Sequence, residues 1–395
     1  MRLSGWPLIA LLYCYGLLST ACVGKMFPII GAIADELGIR TAVAAWLISC
    51  VVMLAIVGLP IVGGLVARFG PRRLLALGAL VGLIANLAAM ICHSFDTLLV
   101  ARLVEGVSFS LIMVAGTTLM AGANTGARQA AAMAVWATSG PAGIGISQAL
   151  SGLAAAGAWR HVFGWSAGTF GVALLATALL PELAKSDSRS GSQAQSLLSS
   201  YTNLPLLKLC VTCALLTISS LAVASVFPTY MHQQLGSAIA QASSIGGLAS
   251  AGTIAGSLVG SWLLGRSFPA ARLAMIAFMP LAVLSALIFL PSLGPLGIAA
   301  ALIASSAALG AASGGVAAML PQLVASPAAL GPAIGMFYQF ANLGMLLGAP
   351  LAFTVYASSG SPGLLLLALI LPVIMILTMP RRSAPPGSVP EKVAG

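Results

Sequence analysis

GGLVARFGPRRLL, residues Gly63 to Leu75, joins two long apolar runs. Gly70 and Pro71 stand at the junction, where a glycine can supply turn conformations and a proline can begin a helix. Arg68, Arg72 and Arg73 crowd the same few positions. Each flanking run is long enough to cross a bilayer. Arginines gathered in a short turn between two such runs mark a cytoplasmic loop, because lysine and arginine accumulate on that side. The segment therefore predicts two antiparallel transmembrane helices joined inside the cell.

The same alternation of apolar run and short polar turn continues in both directions. Spans are predicted at 5–30, 42–66, 74–93, 98–120, 131–155 and 162–180, and again at 206–228, 239–263, 273–291, 295–320, 331–354 and 362–380. The predicted fold class is all-α: a polytopic membrane protein with twelve transmembrane helices in two pseudo-symmetric six-helix bundles. Residues 1–180 form the N-terminal bundle, 181–203 a polar cytoplasmic linker, 204–380 the C-terminal bundle and 381–395 a Pro-rich tail expected to be disordered.

Composition supports this reading. Of 395 residues, 59% are hydrophobic and only 6% charged, against about 25% charged in soluble domains. The formal net charge of +10 sits mostly on one side of the predicted topology. Arg2, Arg68, Arg72, Arg73, Arg128, Lys185, Arg189, Lys208, Arg266, Arg272, Arg381, Arg382 and Lys392 fall on the side of the Gly70 turn. Arg40 and Arg160 fall opposite, with Lys25 near the end of the first span. Both termini are then cytoplasmic, and the compartment is a bacterial-type inner (plasma) membrane. The basic residues form no stripe with aromatics between them, so nucleic acid is not an expected partner.

At this point the chain resembles the major facilitator superfamily. Gly63, Arg68, Gly70, Arg72 and Arg73 match that family's loop between spans two and three, with Ala67 where an aspartate is usual. Arg102, Glu105 and Gly106 match its span-four pattern, with Glu105 where glutamine is common. Ser139, Gly140, Pro141, Ala142 and Gly143 resemble its Gly-Pro motif in span five, with Trp136 in place of a leading glycine. Trp159, Arg160 and Phe163 resemble its approach to span six, and Gly265 and Arg266 give a degraded echo of the loop in the second half. The resemblance implies secondary active transport of a small organic solute by alternating access, as symport or antiport. It also implies a conformational gate at Gly63, Arg68, Gly70, Arg72, Arg73, Gly140 and Pro141. The missing aspartate departs from the usual charge lock of that loop.

Ionisable residues inside a bilayer are functional candidates by default. Arg102 and Glu105, three apart, share a helix face. Arg102 is a candidate for gripping an anionic group, and Glu105 for positioning it or carrying a coupling proton. Lys25 either snorkels to the outer surface or attracts an anion. Tyr13, Tyr338, Gln339 and Asn342 complete the candidate substrate-binding set. The glycines Gly252, Gly256 and Gly260 share a face of span eight, and Gly310 and Gly314 lie in span ten, where small residues permit close helix approach.

The chain has no HExxH, no P-loop lysine and no dinucleotide-binding glycine pattern. Its three histidines, His93, His161 and His232, are dispersed, and Cys210-x-x-Cys213 has no second pair to complete a metal site. No catalytic residue, cofactor or metal is expected. The partners are a small-molecule substrate, a proton as candidate coupling ion and the lipid bilayer, with the monomer as the working unit. Three other readings stay open: proton-coupled multidrug efflux, a sensor that kept the fold without transporting, and a membrane-embedded or lipid-handling enzyme.

Overall fold

The computed structural model describes residues 3–154, 159–182, 202–324 and 327–380. Most of the expected linker, the tail 381–395, and with them Arg2, Lys185, Arg189, Arg381, Arg382 and Lys392 lie outside the described residues.

The regular secondary structure of the described residues is helical. The first half contains α1 (Gly5–Gly24), α2 (Ile30–Leu37), the short α3 (Thr41–Ala44) and α4 (Trp46–Ser49), α5 (Met53–Phe69), α6 (Pro71–Met90), α7 (Phe95–Gly122), α8 (Gly126–Ala154) and α9 (Arg160–Ala176). The second contains α10 (Leu204–Leu235), α11 (Ile239–Gly265), α12 (Ala270–Leu287), α13 (Gly294–Met319) and α14 (Pro327–Thr378). Among the described residues nine helices are long and apolar enough to cross a membrane, or ten if the bent stretch Ile30–Leu37 with Thr41–Ile56 is one span.

Local chemistry explains where the helices stop. Gly70 adopts φ +87°, which a β-carbon resists, and Pro71 then opens α6. Ser94 caps α7 by accepting from the Thr97 amide at 3.3 Å, and Asn203 caps α10 by accepting from Leu206 at 3.1 Å. Four of the predicted spans have a different outline. The first is interrupted after Gly24: Met26, Phe27 and Ile29 donate to carbonyls three residues back, and Pro28 has no amide to give. The second begins as short helical pieces. The stretches predicted at 331–354 and 362–380 lie within α14, which leaves helical geometry at Gly360 (φ 60°, ψ −150°).

The outer surface carries large apolar side chains, among them Ile91, Leu175, Leu296 and Leu377. In water this would be an aggregation hazard, and in lipid it is the expected exterior. Inside, the core has three parts. At the end away from the Gly70 turn, one cluster joins both halves, packing Phe27, Ile33 and Phe163 with Phe227, Tyr230 and Phe353. At the end bearing the turn, the buried residues form separate cores, one around Leu12, Phe109 and Trp136 with Met345 and Leu346 of α14 packed against it, and the other around Cys210, Phe278 and Met336. Cys210 and Cys213 are buried there as small apolar side chains.

Glycine sets the closeness of several seams. A β-carbon on Gly256 would strike the Ala307 carbonyl, and one on Gly310 the Thr253 carbonyl, so α11 and α13 touch backbone to backbone. Gly314 has open space around it and plays no part in that seam.

Candidate functional site

Two features stand out: a cavity between the halves and a sealed polar cluster beside it. The cavity holds about 360 Å³ and is lined by α1, α7 and α8 from the first half and by α10 to α14 from the second. That volume falls within the usual range for small-molecule sites. Its walls mix apolar groups such as Phe109, Met113 and Phe227 with hydroxyls and amides. Gly140 and Pro141, expected in the gate, lie on its surface.

The cavity is closed at the end where the two halves share a core. There α8 meets α11 through Gly145, Gln148 and Gly152 on one side and Ser243, Gly246 and Gly247 on the other. A β-carbon on Gly247 would lie 2.8 Å from the Gly145 carbonyl, so only glycine permits this approach. The second contact between halves runs from the start of the second span to α14: Ser49 donates to the Met345 carbonyl at 3.2 Å, and Gln339 to the Ile56 carbonyl at 3.3 Å.

The polar cluster lies entirely within the first half. Lys25 projects from the end of α1, Asn86 from α6, and Arg102 and Glu105 from α7. Glu105 is the hub. It accepts from Lys25 at 2.7 Å and from Asn86 at 3.0 Å through one oxygen, and from Arg102 through the other. Lys25 also donates to Asn86 Oδ1 at 2.5 Å and sits 4.6 Å from the Phe163 ring centroid. Arg102 spends its other nitrogens on backbone: Nε donates to the Leu47 carbonyl at 2.9 Å and Nη2 to the Cys22 carbonyl at 2.8 Å. Relative exposures are 0% for Arg102 and Asn86, 1% for Glu105 and 2% for Lys25. Each buried ion costs several kcal/mol to desolvate, so this density of partners is what makes the cluster tolerable. Two cations against one carboxylate leave it with one excess positive charge.

The sequence-predicted residues thus divide. Tyr338 and Asn342 line the cavity, whereas Arg102, Lys25, Glu105, Tyr13 and Gln339 are not among its lining residues. Lys25 turns inward rather than snorkelling. Tyr13 shares a 3.2 Å hydrogen bond with Thr138, tying α1 to α8. Asn86 escaped sequence reading, although an amide in the middle of an apolar span was a usable signal. Gln148 and the lining serines escaped it too, because serine is scattered through every span.

In the turn after α5, Arg72 takes the end of α9 as its partner. It donates to the carbonyls of Thr177 at 3.0 Å and Ala178 at 3.3 Å and pairs with Glu182 at 2.9 Å. An arginine on terminal helix carbonyls also complements the helix dipole. Arg68 lies 5.2 Å from the Phe69 ring centroid, and no neighbour approaches the β-position of Gly63. At the opposite end, Glu36 accepts from Trp159 Nε1 and Arg160 Nη1, both at 2.6 Å, which clamps α2 to the start of α9.

Apolar spans packed around a central cavity are the architecture of a membrane carrier. The chain belongs to the Major Facilitator Superfamily, whose sequence profile matches residues 10–328. It is a multi-pass membrane protein and not an enzyme, and its activity is secondary transport of a small solute by alternating access. Among solved structures, it is similar to a mutant of the nucleoside transporter NupG at 16% identity, covering 94% of this chain and 98% of that one with a TM-score of 0.76. It is also similar to a bacterial homolog of the human lysosomal transporter Spinster, in an inward-facing, unoccupied conformation, at 15% identity, covering 94% of this chain and 93% of that one with a TM-score of 0.72. Identities this low speak to the fold alone. No curated protein matches the sequence.

Proposed function

We propose that the chain is a twelve-span carrier of two six-helix bundles, residues 1–180 and 204–380, with both termini and the 181–203 linker in the cytoplasm of a bacterial-type cell. Its solute binds in the cavity between the bundles. The observation that carries this is the asymmetry of the core, joined across the halves at one end and split at the other. With the Gly70 turn inside, the conformation is closed outward and open toward the cytoplasm. Transport then consists of parting α8 from α11 and closing the opposite end. Counting α1 with α2 as one span, α3 to α5 as another and α14 as two, divided at Gly360, supports the figure of twelve.

The Lys25–Asn86–Glu105–Arg102 cluster is the place where a coupling proton enters the cycle. Arg102 does not lose its proton. Protonating Glu105 would raise the buried excess charge from one to two. Releasing the proton of Lys25 would remove the excess altogether, so Lys25 is the exchanging group and Glu105 its fixed counter-ion. Arg102, engaged through all three guanidinium nitrogens and shut off from the cavity, braces Glu105 rather than gripping solute.

Topology is tested by Ser192→Cys in a chain cleared of native cysteines. An impermeant maleimide added outside intact cells should leave it unlabelled, and ready labelling would invert the orientation. Function is tested by purified chain in proteoliposomes: proton-driven accumulation should fail in Lys25→Met while solute exchange persists.

A further inference from the structure

The cavity walls contain no Asp, Glu, Lys, Arg or His among the described residues. What they offer instead is a set of hydroxyls and amides on both sides: Thr20 and Gln148 from the first half, Ser250, Ser305, Thr253 and Asn342 from the second. A solute with a fixed charge would exchange its hydration shell for walls that hold no counter-ion, and burying an unpaired ion is heavily penalised. The excess positive charge nearby does not supply one, because Lys25 and Arg102 already spend their donors inside the first half.

One lining group points directly to a missing partner. Gln148 is only 1% exposed, and its Nε2 donor has no hydrogen-bond partner. Buried amides are almost always satisfied. Gln148 occupies the ceiling of the cavity, against the bare backbone of Gly246 on α11. It therefore stands where the solute and the seam between the halves meet.

We propose that the solute is an uncharged, hydrogen-bonding molecule rather than an organic anion or a cationic drug, and that Gln148 is its specificity-determining donor. This deepens the transporter reading and rests on it. A solute that offers an acceptor to Gln148 satisfies the orphan amide as the cavity closes around it. A carboxylate or ammonium of the same size finds hydroxyl dipoles but no opposite charge.

The test uses the purified full chain and three size-matched sets of probes: hexoses, pentitols and ribonucleosides as neutral solutes, gluconate and related sugar acids as anions, and choline and related ammonium compounds as cations. Thermal unfolding followed by tryptophan fluorescence reads binding. At least one neutral probe should raise the melting temperature in a saturable way, and no anion or cation should match it. Gln148→Leu should weaken that probe roughly tenfold, the cost of one lost hydrogen bond in a buried site. Asn342→Leu, on the other half, is a second variant should Gln148→Leu fail to fold, and should likewise weaken the neutral probe. An anion or cation that binds better than every neutral probe overturns the proposal. So does a panel in which no neutral probe binds, or folded Gln148→Leu and Asn342→Leu variants that both keep full affinity. A neutral probe that binds but never crosses a proteoliposome bilayer supports the solute class and overturns the transport reading instead.

Discussion

Removing the charge of Glu105 and removing that of Lys25 should have unequal consequences, although Lys25 Nζ and Glu105 Oε1 lie 2.7 Å apart. Glu105→Gln leaves Lys25 and Arg102 facing each other with no carboxylate between them. Breaking a buried pair in this way costs about 3–5 kcal/mol, a large part of the 5–15 kcal/mol roughly typical of a folded domain. Lys25→Met instead leaves the Arg102–Glu105 pair intact and electrically neutral. It strands Asn86 Oδ1, at a cost of about 1–3 kcal/mol, but relieves the desolvation of one surplus cation, which is of similar size or larger. The net effect is therefore small. Melting of purified variants in detergent measures the first quantity: Glu105→Gln should fall well below the parent and Lys25→Met should stay close to it. Transport separates the second role. Lys25→Met should exchange solute across proteoliposomes yet fail to accumulate it when a proton gradient is imposed. Equal destabilisation by the two substitutions would refute the charge argument. Undiminished proton-driven accumulation in Lys25→Met would refute the assignment of the proton.

Three further outcomes follow from the packing. In Gly145→Val the new β-carbon would approach the Ser250 side chain at 2.5 Å; overpacking of about 1–3 kcal/mol should shift the conformational balance roughly 5–150-fold toward an outward-open state. Faster maleimide labelling of Ser305→Cys from outside would report it, and an unchanged rate would contradict the gate assigned to α8 and α11. Arg72→Ala removes contacts with α9 at the membrane boundary, where exposed pairs contribute at most about 1 kcal/mol; exchange should slow by no more than about fivefold with solute affinity unaltered, and a large loss of affinity would place the turn in the binding site. Gly256→Ala should lower the melting temperature because its methyl meets the Ala307 carbonyl, whereas Gly314→Ala, with open space around it, should not; matching behaviour of the two would dissolve the α11–α13 seam as described.

The sequence carried the architecture further than the site. Apolar run length and the placement of arginine predict membrane helices because backbone amides in lipid must be satisfied within each span. The Gly70–Pro71 turn was legible for a similarly local reason, since a positive φ and a helix start leave residue-level marks. The pairing of Arg102 with Glu105 was visible from their spacing on one helix face. Its extension to Lys25 and Asn86 was not, because those residues lie on other spans and meet only after α1, α6 and α7 pack. Rarity of charge drew attention to Arg102 as a substrate contact, yet rarity does not tell a sealed cluster from an open cavity. The lining residues were hidden for the converse reason. Ser250, Ser305 and Gln148 carry no unusual signal, and only the packing of both halves places them on one surface. Gly145 and Gly247 were likewise indistinguishable from the other glycines of a chain that has 44.

Entrance counterflow in proteoliposomes containing this chain as the sole protein tests alternating access most directly. Vesicles are preloaded with an unlabelled neutral solute selected by the binding panel, and a trace of labelled solute is added outside with no ion gradient. A carrier that returns its site loaded must take up label above its equilibrium level before decaying back. The cavity between the halves predicts that overshoot. Label that rises only to equilibrium, at the rate of empty vesicles or through an open pore, would contradict the assignment of this cavity as a carrier site.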